Sequence, residues 1–200
     1  MLDLSGISLR INDSSEEPSG ATLAVADAVL PGSYTRFALR SRNGIAYLIC
    51  RQFSAAKKRE QLAILKALKR DLPERSIDLI ADEMVACLKA FAGGLTDIDV
   101  TSVACGHSRR PDCLSFRLAT SVANRCGARR VHNFRNRFLS GSSHPKEFKR
   151  LPQLQFDQAP ARQTLVVDDV VTSGFHITEA LEAIRATGMP ALGLVWISGS

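Results

Sequence analysis

The chain has 200 residues, 45% of them hydrophobic and 23% charged, enough to bury the core of one domain and too apolar for wholesale disorder. Its longest apolar runs, residues 44–50 and 191–197, are too short to span a bilayer, and the opening Met1-Leu2-Asp3-Leu4 lacks the basic flank and apolar stretch of a secretion signal. The net charge is +6, yet residues 105–150 hold 11 basic residues against only Asp112 and Glu147, so that block carries +9 and the remainder −3.

Residues 1–33 are the least regular stretch, with the polar run 12–20 reading as loop. Residues 34–39 and 45–50 are strand-like, and Asn43-Gly44 between them is the pair most often found where a hairpin needs positive φ. Ser54 is placed to cap a helix over about 55–70, with Leu62, Leu65 and Leu68 on one side. A second helix follows Pro73. Its apolar positions Ile77, Ile80, Met84, Cys87, Leu88 and Phe91 recur at helical spacing until Gly93-Gly94. Residues 100–104 form a short apolar strand that breaks at Gly106. Leu114, Leu118, Val122 and Cys126 then recur every four residues until Gly127. Residues 131–134 are a weak strand, followed by a polar stretch over 136–160. Residues 164–167 are a strong strand, Ile177, Ala180, Leu181 and Ile184 mark a helix ended by Gly188, and residues 191–197 make a last strand. From residue 98 onward the order strand, helix, strand, strand, helix, strand predicts an α/β protein. Its parallel sheet is flanked by helices and preceded by an N-terminal hairpin and helical extension. The expected division is an extension over 1–95 and a core over 96–200.

The chemistry concentrates in Thr164-Leu-Val-Val-Asp-Asp-Val-Val-Thr-Ser-Gly-Phe-His-Ile177. A buried parallel strand ends in two adjacent carboxylates, Asp168 and Asp169, and a tight Thr172-Ser173-Gly174 turn feeds a helix. Open α/β sheets bind ligands at this edge. The amides of the turn and helix start form a cradle for one phosphate. Thr172 and Ser173 add hydroxyls, and Gly174 lets backbone approach the ligand closely. The carboxylates cannot face that phosphate without repulsion, so they suit sugar hydroxyls or Mg²⁺. The deduced ligand is a phosphorylated sugar together with a metal ion.

Val166-Val167-Asp168-Asp169-Val170-Val171-Thr172-Ser173-Gly174 closely resembles the phosphoribosyl-pyrophosphate-binding motif of type I phosphoribosyltransferases. The resemblance covers residues 98–198. Within that superfamily, Cys105-Gly106-His107-Ser108-Arg109-Arg110 and the helix after it look most like the competence-associated phosphoribosyltransferase-like proteins. The resemblance implies that Asp168 and Asp169 hold the ribose 2′ and 3′ hydroxyls and, directly or through water or substrate, Mg²⁺. It implies that Thr172, Ser173, Gly174, Phe175 and His176 wrap the 5′-phosphate. Cys105, Gly106, His107, Ser108 and Arg109 form the implied pyrophosphate loop, with Arg110 beside it and Arg109 neutralising the leaving group. Residues of about 136–150, with Lys146, Lys149 and Arg150, correspond to the flexible loop that closes over the reacting centre. Residues 1–95 are left to supply the hood that recognises the base. His176 departs from the family, which carries Thr or Ser there. Histidine either donates to the phosphate in place of the hydroxyl or is a tolerated substitution on the helix's first turn.

Cys113 falls in a helix's first turn, where a thiolate is favoured, but no partner base is identifiable and packing is the simpler role. Five cysteines without a CxxC pair argue against a disulfide framework or a four-cysteine zinc site and suit a reducing cytoplasm. The four histidines lack metal-ligand spacing, and no HExxH, GxxxxGK[ST], GxGxxG or GxSxG pattern occurs. Two functions stay open. One is a Mg²⁺-dependent glycosyltransferase of nucleotide metabolism that moves phosphoribose from phosphoribosyl pyrophosphate to a nitrogenous acceptor, a nucleobase by family analogy, releasing pyrophosphate. The other is a catalytically weak, nucleotide-sensing or DNA-associated protein that keeps the pocket. The +9 block implies an anionic partner: pyrophosphate serves the first function and nucleic acid the second. No membrane association is expected, and homo-oligomerisation stays open.

Overall fold

The computed structural model describes residues 28–92, 95, 97–104, 112–137 and 152–199. Asn43 and Gly44 both take positive φ, +51° and +78°, the two-residue reversal whose twist matches that of paired strands. They join β1 (Tyr34–Arg42) to β2 (Ile45–Gln52) as an antiparallel hairpin. Four further strands follow: β3 (Asp99–Ser102), β4 (Arg129–Arg130), β5 (Thr164–Val171) and β6 (Ala191–Ser198). The sheet order is β1-β2-β6-β5-β3-β4, and every pair except the hairpin is parallel. The fold is therefore α/β, a mostly parallel six-stranded sheet flanked by helices. The hairpin is not a separate layer, since β2 pairs directly with β6.

The helices are α1 (Lys58–Asp71), α2 (Glu74–Ala92), α3 (Leu114–Cys126) and α4 (Phe175–Ala186). Period-two alternation in the strands supplies both sheet faces. Leu48, Leu165, Val167, Leu192, Leu194 and Trp196 pack on one side with Ile77, Ile80, Met84, Leu88, Leu118 and Val122 of α2 and α3. Tyr47, Ile49, Val166 and Val195 pack on the other with Ile177, Leu181 and Ile184 of α4. Gly193 lets α4 lie close to the sheet. A Cβ there would stand 2.6 Å from Tyr47 Cβ and 3.1 Å from side-chain carbons of Ile177 and Leu181. A buried ion pair, Arg51 Nε to Glu83 Oε1 at 2.7 Å, ties β2 to α2, and Trp196 Nε1 of β6 donates to the other Glu83 oxygen at 3.0 Å.

Three expectations shift. Ser54 does not cap α1, which starts at Lys58. Its carbonyl instead accepts from the Lys57 amide and its amide donates to Gln61 Oε1 at 2.9 Å, so residues 54–57 form a turn before the helix. The weak strand of 131–134 lies earlier, at Arg129–Arg130. The Arg129 fork grips both oxygens of Asp99 at 2.8 and 2.7 Å and sets the register against β3. Phe134 instead bridges Phe156 outside the main sheet. Finally, β5 runs through the acid pair to Val171 rather than ending at it.

The basic block also changes meaning. Arg117 pairs with Glu74, Arg125 with Asp78 and Asp82, Arg129 with Asp99, Arg135 with Asp157, and Arg137 with Glu179. All of these acids lie outside residues 105–150. At these five arginines the charge that composition offers to an anionic partner is met within the protein, because folding brings acidic residues from the remainder of the chain onto them. Among the described basic residues of the block, Arg130 stands apart. Its guanidinium donates to the Val100 and Val131 carbonyls and to Ser102 Oγ and lies 4.7 Å from the Phe116 ring centroid. Burial without a carboxylate lowers its pKa to about 10.

Candidate functional site

The pairing of β3 with β5 stops at Ser102 opposite Val167, one residue before the acid pair. Asp168 and Asp169 thus lie on β5 beyond the end of its neighbour, while β6 still pairs on the other side to Val171. The space is a cleft of about 420 Å³. Its walls are α1, the start of α3, the end of β5 and the turn into α4. Both acids are 6% exposed. Asp168 Oδ1 accepts from the Asp169 amide at 2.8 Å and from Ser115 Oγ of α3 at 3.3 Å. Burial, and next the neighbouring Asp169 charge, push the Asp168 carboxyl up to about 7 against the opposing pull of Lys69, the Asp169 amide and Ser115.

Lys69 reaches in from α1, with its Nζ 3.0 Å from both Asp169 oxygens. Burial works against its charge, but the charge and hydrogen bond of Asp169, with Asp168 behind it, outweigh that and hold the ammonium above its ordinary pKa. Lys66, one turn earlier, also lines the cleft.

The turn after β5 is built around Gly174, at φ +74° and at the N-cap of α4. A Cβ there would stand 3.0 Å from Tyr47 Oη, so a side chain is disfavoured by both conformation and space. Arg42, from the end of β1, donates to the Ser173 carbonyl at 2.5 Å and lies 5.7 Å from the Phe175 ring centroid. Thr178 Oγ1 donates to the Gly174 carbonyl at 2.8 Å, and Ser173 Oγ accepts from the Phe175 amide at 3.4 Å. These bonds hold the turn so that the positive end of the α4 dipole opens onto the cleft. Thr172, Ser173, Gly174, Phe175 and His176 all line it with the two acids.

Seven predicted site residues therefore converge: Asp168, Asp169, Thr172, Ser173, Gly174, Phe175 and His176. The others, Cys105, Gly106, His107, Ser108, Arg109 and Arg110, lie outside the described residues, as do Lys146, Lys149 and Arg150. Ala104 and Cys113, on either side of 105–111, line the cleft. Sequence reasoning missed Lys69, Ser115 and Arg42. Lys69 sits in a run with Lys66 and Arg70 that reads as an ordinary solvated helix face, and nothing local marks the one lysine that turns inward.

The residues present do not fit a Mg²⁺ ion ligated directly by the acid pair. Lys69 spans both Asp169 oxygens. No group of three or more His, Cys, Asp or Glu gathers to hold a metal among the described residues. Likewise, no helix among them is long and apolar enough to cross a membrane, and Cys50, Cys87 and Cys126 are free thiols.

No protein-family model and no curated protein matches the chain. Among solved structures, it is similar to a hypoxanthine phosphoribosyltransferase from Staphylococcus aureus at 12% identity and TM-score 0.41, over 61% of this chain and 62% of that one. It is also similar to orotate phosphoribosyltransferases from Aeropyrum pernix, at 15% identity and TM-score 0.35 over 89% and 92% of the two chains, and Mycobacterium tuberculosis, at 16% identity and TM-score 0.35 over 88% and 95%. The chain spans less than two thirds of the first of these.

Proposed function

We propose that this protein is a phosphoribosyltransferase that takes phosphoribosyl pyrophosphate and a nitrogenous acceptor, a nucleobase, and releases pyrophosphate. One observation carries the reading: a buried acid pair and a single-phosphate turn share one cleft on consecutive segments of chain. Carboxylates accept from vicinal hydroxyls, and the turn with its helix N-terminus donates to a phosphate. Together they suit the two ends of a phosphorylated sugar such as ribose 5-phosphate.

On this reading the sugar is fixed at three points, its two hydroxyls and its phosphate, and C1 is left facing the open part of the cleft. Such fixing is where much of the rate of a displacement at C1 originates. Leu62 and Leu65 of α1 line the same cleft and offer an apolar wall for a planar acceptor, the role expected of a hood from residues 1–95. Arg109 and Arg110 are assigned to neutralising the leaving pyrophosphate. Mg²⁺, a hard cation that favours phosphate oxygens, is assigned to the diphosphate of the substrate rather than to the acid pair.

The test is pyrophosphate release from phosphoribosyl pyrophosphate with a panel of nucleobases, beside the Asp168→Asn/Asp169→Asn double variant. Release with at least one base, lost in the variant, is expected. His176, on the cleft wall where the resemblance leads one to expect a hydroxyl, supports a second reading: ligand binding without turnover. Release with no base, while the ligand still binds through the acid pair, would select it. Absence of any binding overturns both.

A further inference from the structure

Three of the four oxygens of the acid pair already carry a donor from this chain. Asp169 Oδ1 and Oδ2 each lie 3.0 Å from Lys69 Nζ, and Asp168 Oδ1 takes Ser115 Oγ and the Asp169 amide. An ammonium in bidentate contact with Asp169 occupies the position from which a divalent ion would bridge that carboxylate. A metal ion added there would meet a cation at contact distance in a partly buried site. A sugar diol has no such conflict, because each carboxylate oxygen has a second lone pair beside the one that faces the ammonium. The helix that carries Lys69 is fixed against the sheet, since Leu65 and Leu68 are buried in the main core, and the half-exposed lysine side chain reaches from it to Asp169.

We infer that Lys69 is the resident cation of the acid pair. It stands in for a divalent ion at the sugar hydroxyls, excludes such an ion from Asp169, and orients that carboxylate for a ribose 5-phosphate whose binding does not depend on metal. The inference rests on the sugar-phosphate reading of the cleft and sharpens it. The ribose subsite belongs to the protein alone, and the N-terminal half contributes its cation. Lys69 is thus a positioning residue acting through Asp169.

The experiment has a metal arm and a ligand arm, on the full chain and with folding checked by circular dichroism. Mn²⁺ binding is followed by electron paramagnetic resonance in the absence of ligand. Wild type and Lys69→Arg, which keeps the cation, are expected to bind no Mn²⁺ at this site. Lys69→Met is expected to gain a site at least about tenfold tighter than any in wild type, and Lys69→Met/Asp169→Asn to lose it again. Equal Mn²⁺ binding by wild type and Lys69→Met, or no gain in Lys69→Met, overturns the inference. In the ligand arm, calorimetry with ribose 5-phosphate is expected to give wild type the same affinity, within about twofold, in EDTA and in Mg²⁺. Lys69→Met should bind about tenfold or more weakly in EDTA and recover with Mg²⁺. Wild-type binding that requires Mg²⁺ overturns the inference and leaves the sugar-phosphate reading standing. No binding of ribose 5-phosphate in either buffer overturns that reading and the inference with it.

Discussion

Asp168 shows what burial does to a carboxylate that has a twin beside it. Its pKa of about 7, against an ordinary 3.8, means that the folded protein holds a proton the unfolded chain would release. The contribution of this group to stability therefore falls as pH rises from its unfolded value toward about 7. Asp168→Asn removes the titrating group and keeps the shape. It should raise the thermal midpoint at pH 8 by roughly 2–4 °C for each kcal/mol recovered, with little gain at pH 4, as scanning calorimetry at the two pH values would read. The same variant should lose sugar-phosphate binding, so this residue trades stability for a ligand. Gly174 makes a second argument at this scale. An alanine at φ +74°, with its Cβ 3.0 Å from Tyr47 Oη, should cost about 1–2 kcal/mol from the left-handed backbone alone. Urea titration measures that loss, and calorimetry with inorganic phosphate should show weakened binding at the distorted turn.

At the scale of elements, the site exists because strands of unequal length lie side by side. β3 ends at Ser102 while β5 continues to Val171, and the step between them is the floor of the cleft. Position along the sheet is therefore functional, and the contacts that set it matter as much as the acids. The buried Arg51–Glu83 pair, with Trp196 on the second Glu83 oxygen, ties α2 to β2 and β6 at once. Removing the Glu83 charge leaves the buried Arg51 guanidinium with only the neutral Ser33 and Thr35 hydroxyls as side-chain acceptors. Glu83→Gln should destabilise by about 3–5 kcal/mol although it preserves size, measured as a lower urea midpoint at unchanged slope. A smaller loss would mean that water reaches Arg51.

For the whole molecule, charge is distributed by topology and not by position in the chain. Five arginines of the basic block meet acids from α2, β3, α4 and Asp157, so these five are neutralised within the protein. Duplex DNA should gain little from these arginines. Asp78→Asn/Asp82→Asn frees Arg125 and should steepen the dependence of log K for duplex binding on log salt by about one, as fluorescence anisotropy over a salt series would show. An unchanged slope would mean that Arg125 neutralises no DNA phosphate even when its acids are removed.

Much of this protein is local and therefore legible. The Asn43-Gly44 hairpin, the periodic faces of α2 and α3 and the alternation of the inner strands follow from the pattern of residues, because each is set by backbone sterics and burial over a few neighbours. The acid pair and the turn that line the cleft are legible for the same reason: Asp168 to His176 is one strand, one turn and one helix start. The sequence alone determined that this segment carries an acid pair beside a tight turn into a helix. Only the tertiary structure decided which charges meet there. Lys69 lies 100 residues from Asp169 along the chain, Arg42 lies 131 from Ser173, and the partners of the arginines are spread from Glu74 to Glu179. Electrostatic contacts depend on distance in space, and strand order sets that distance, which no spacing of residues along the chain encodes.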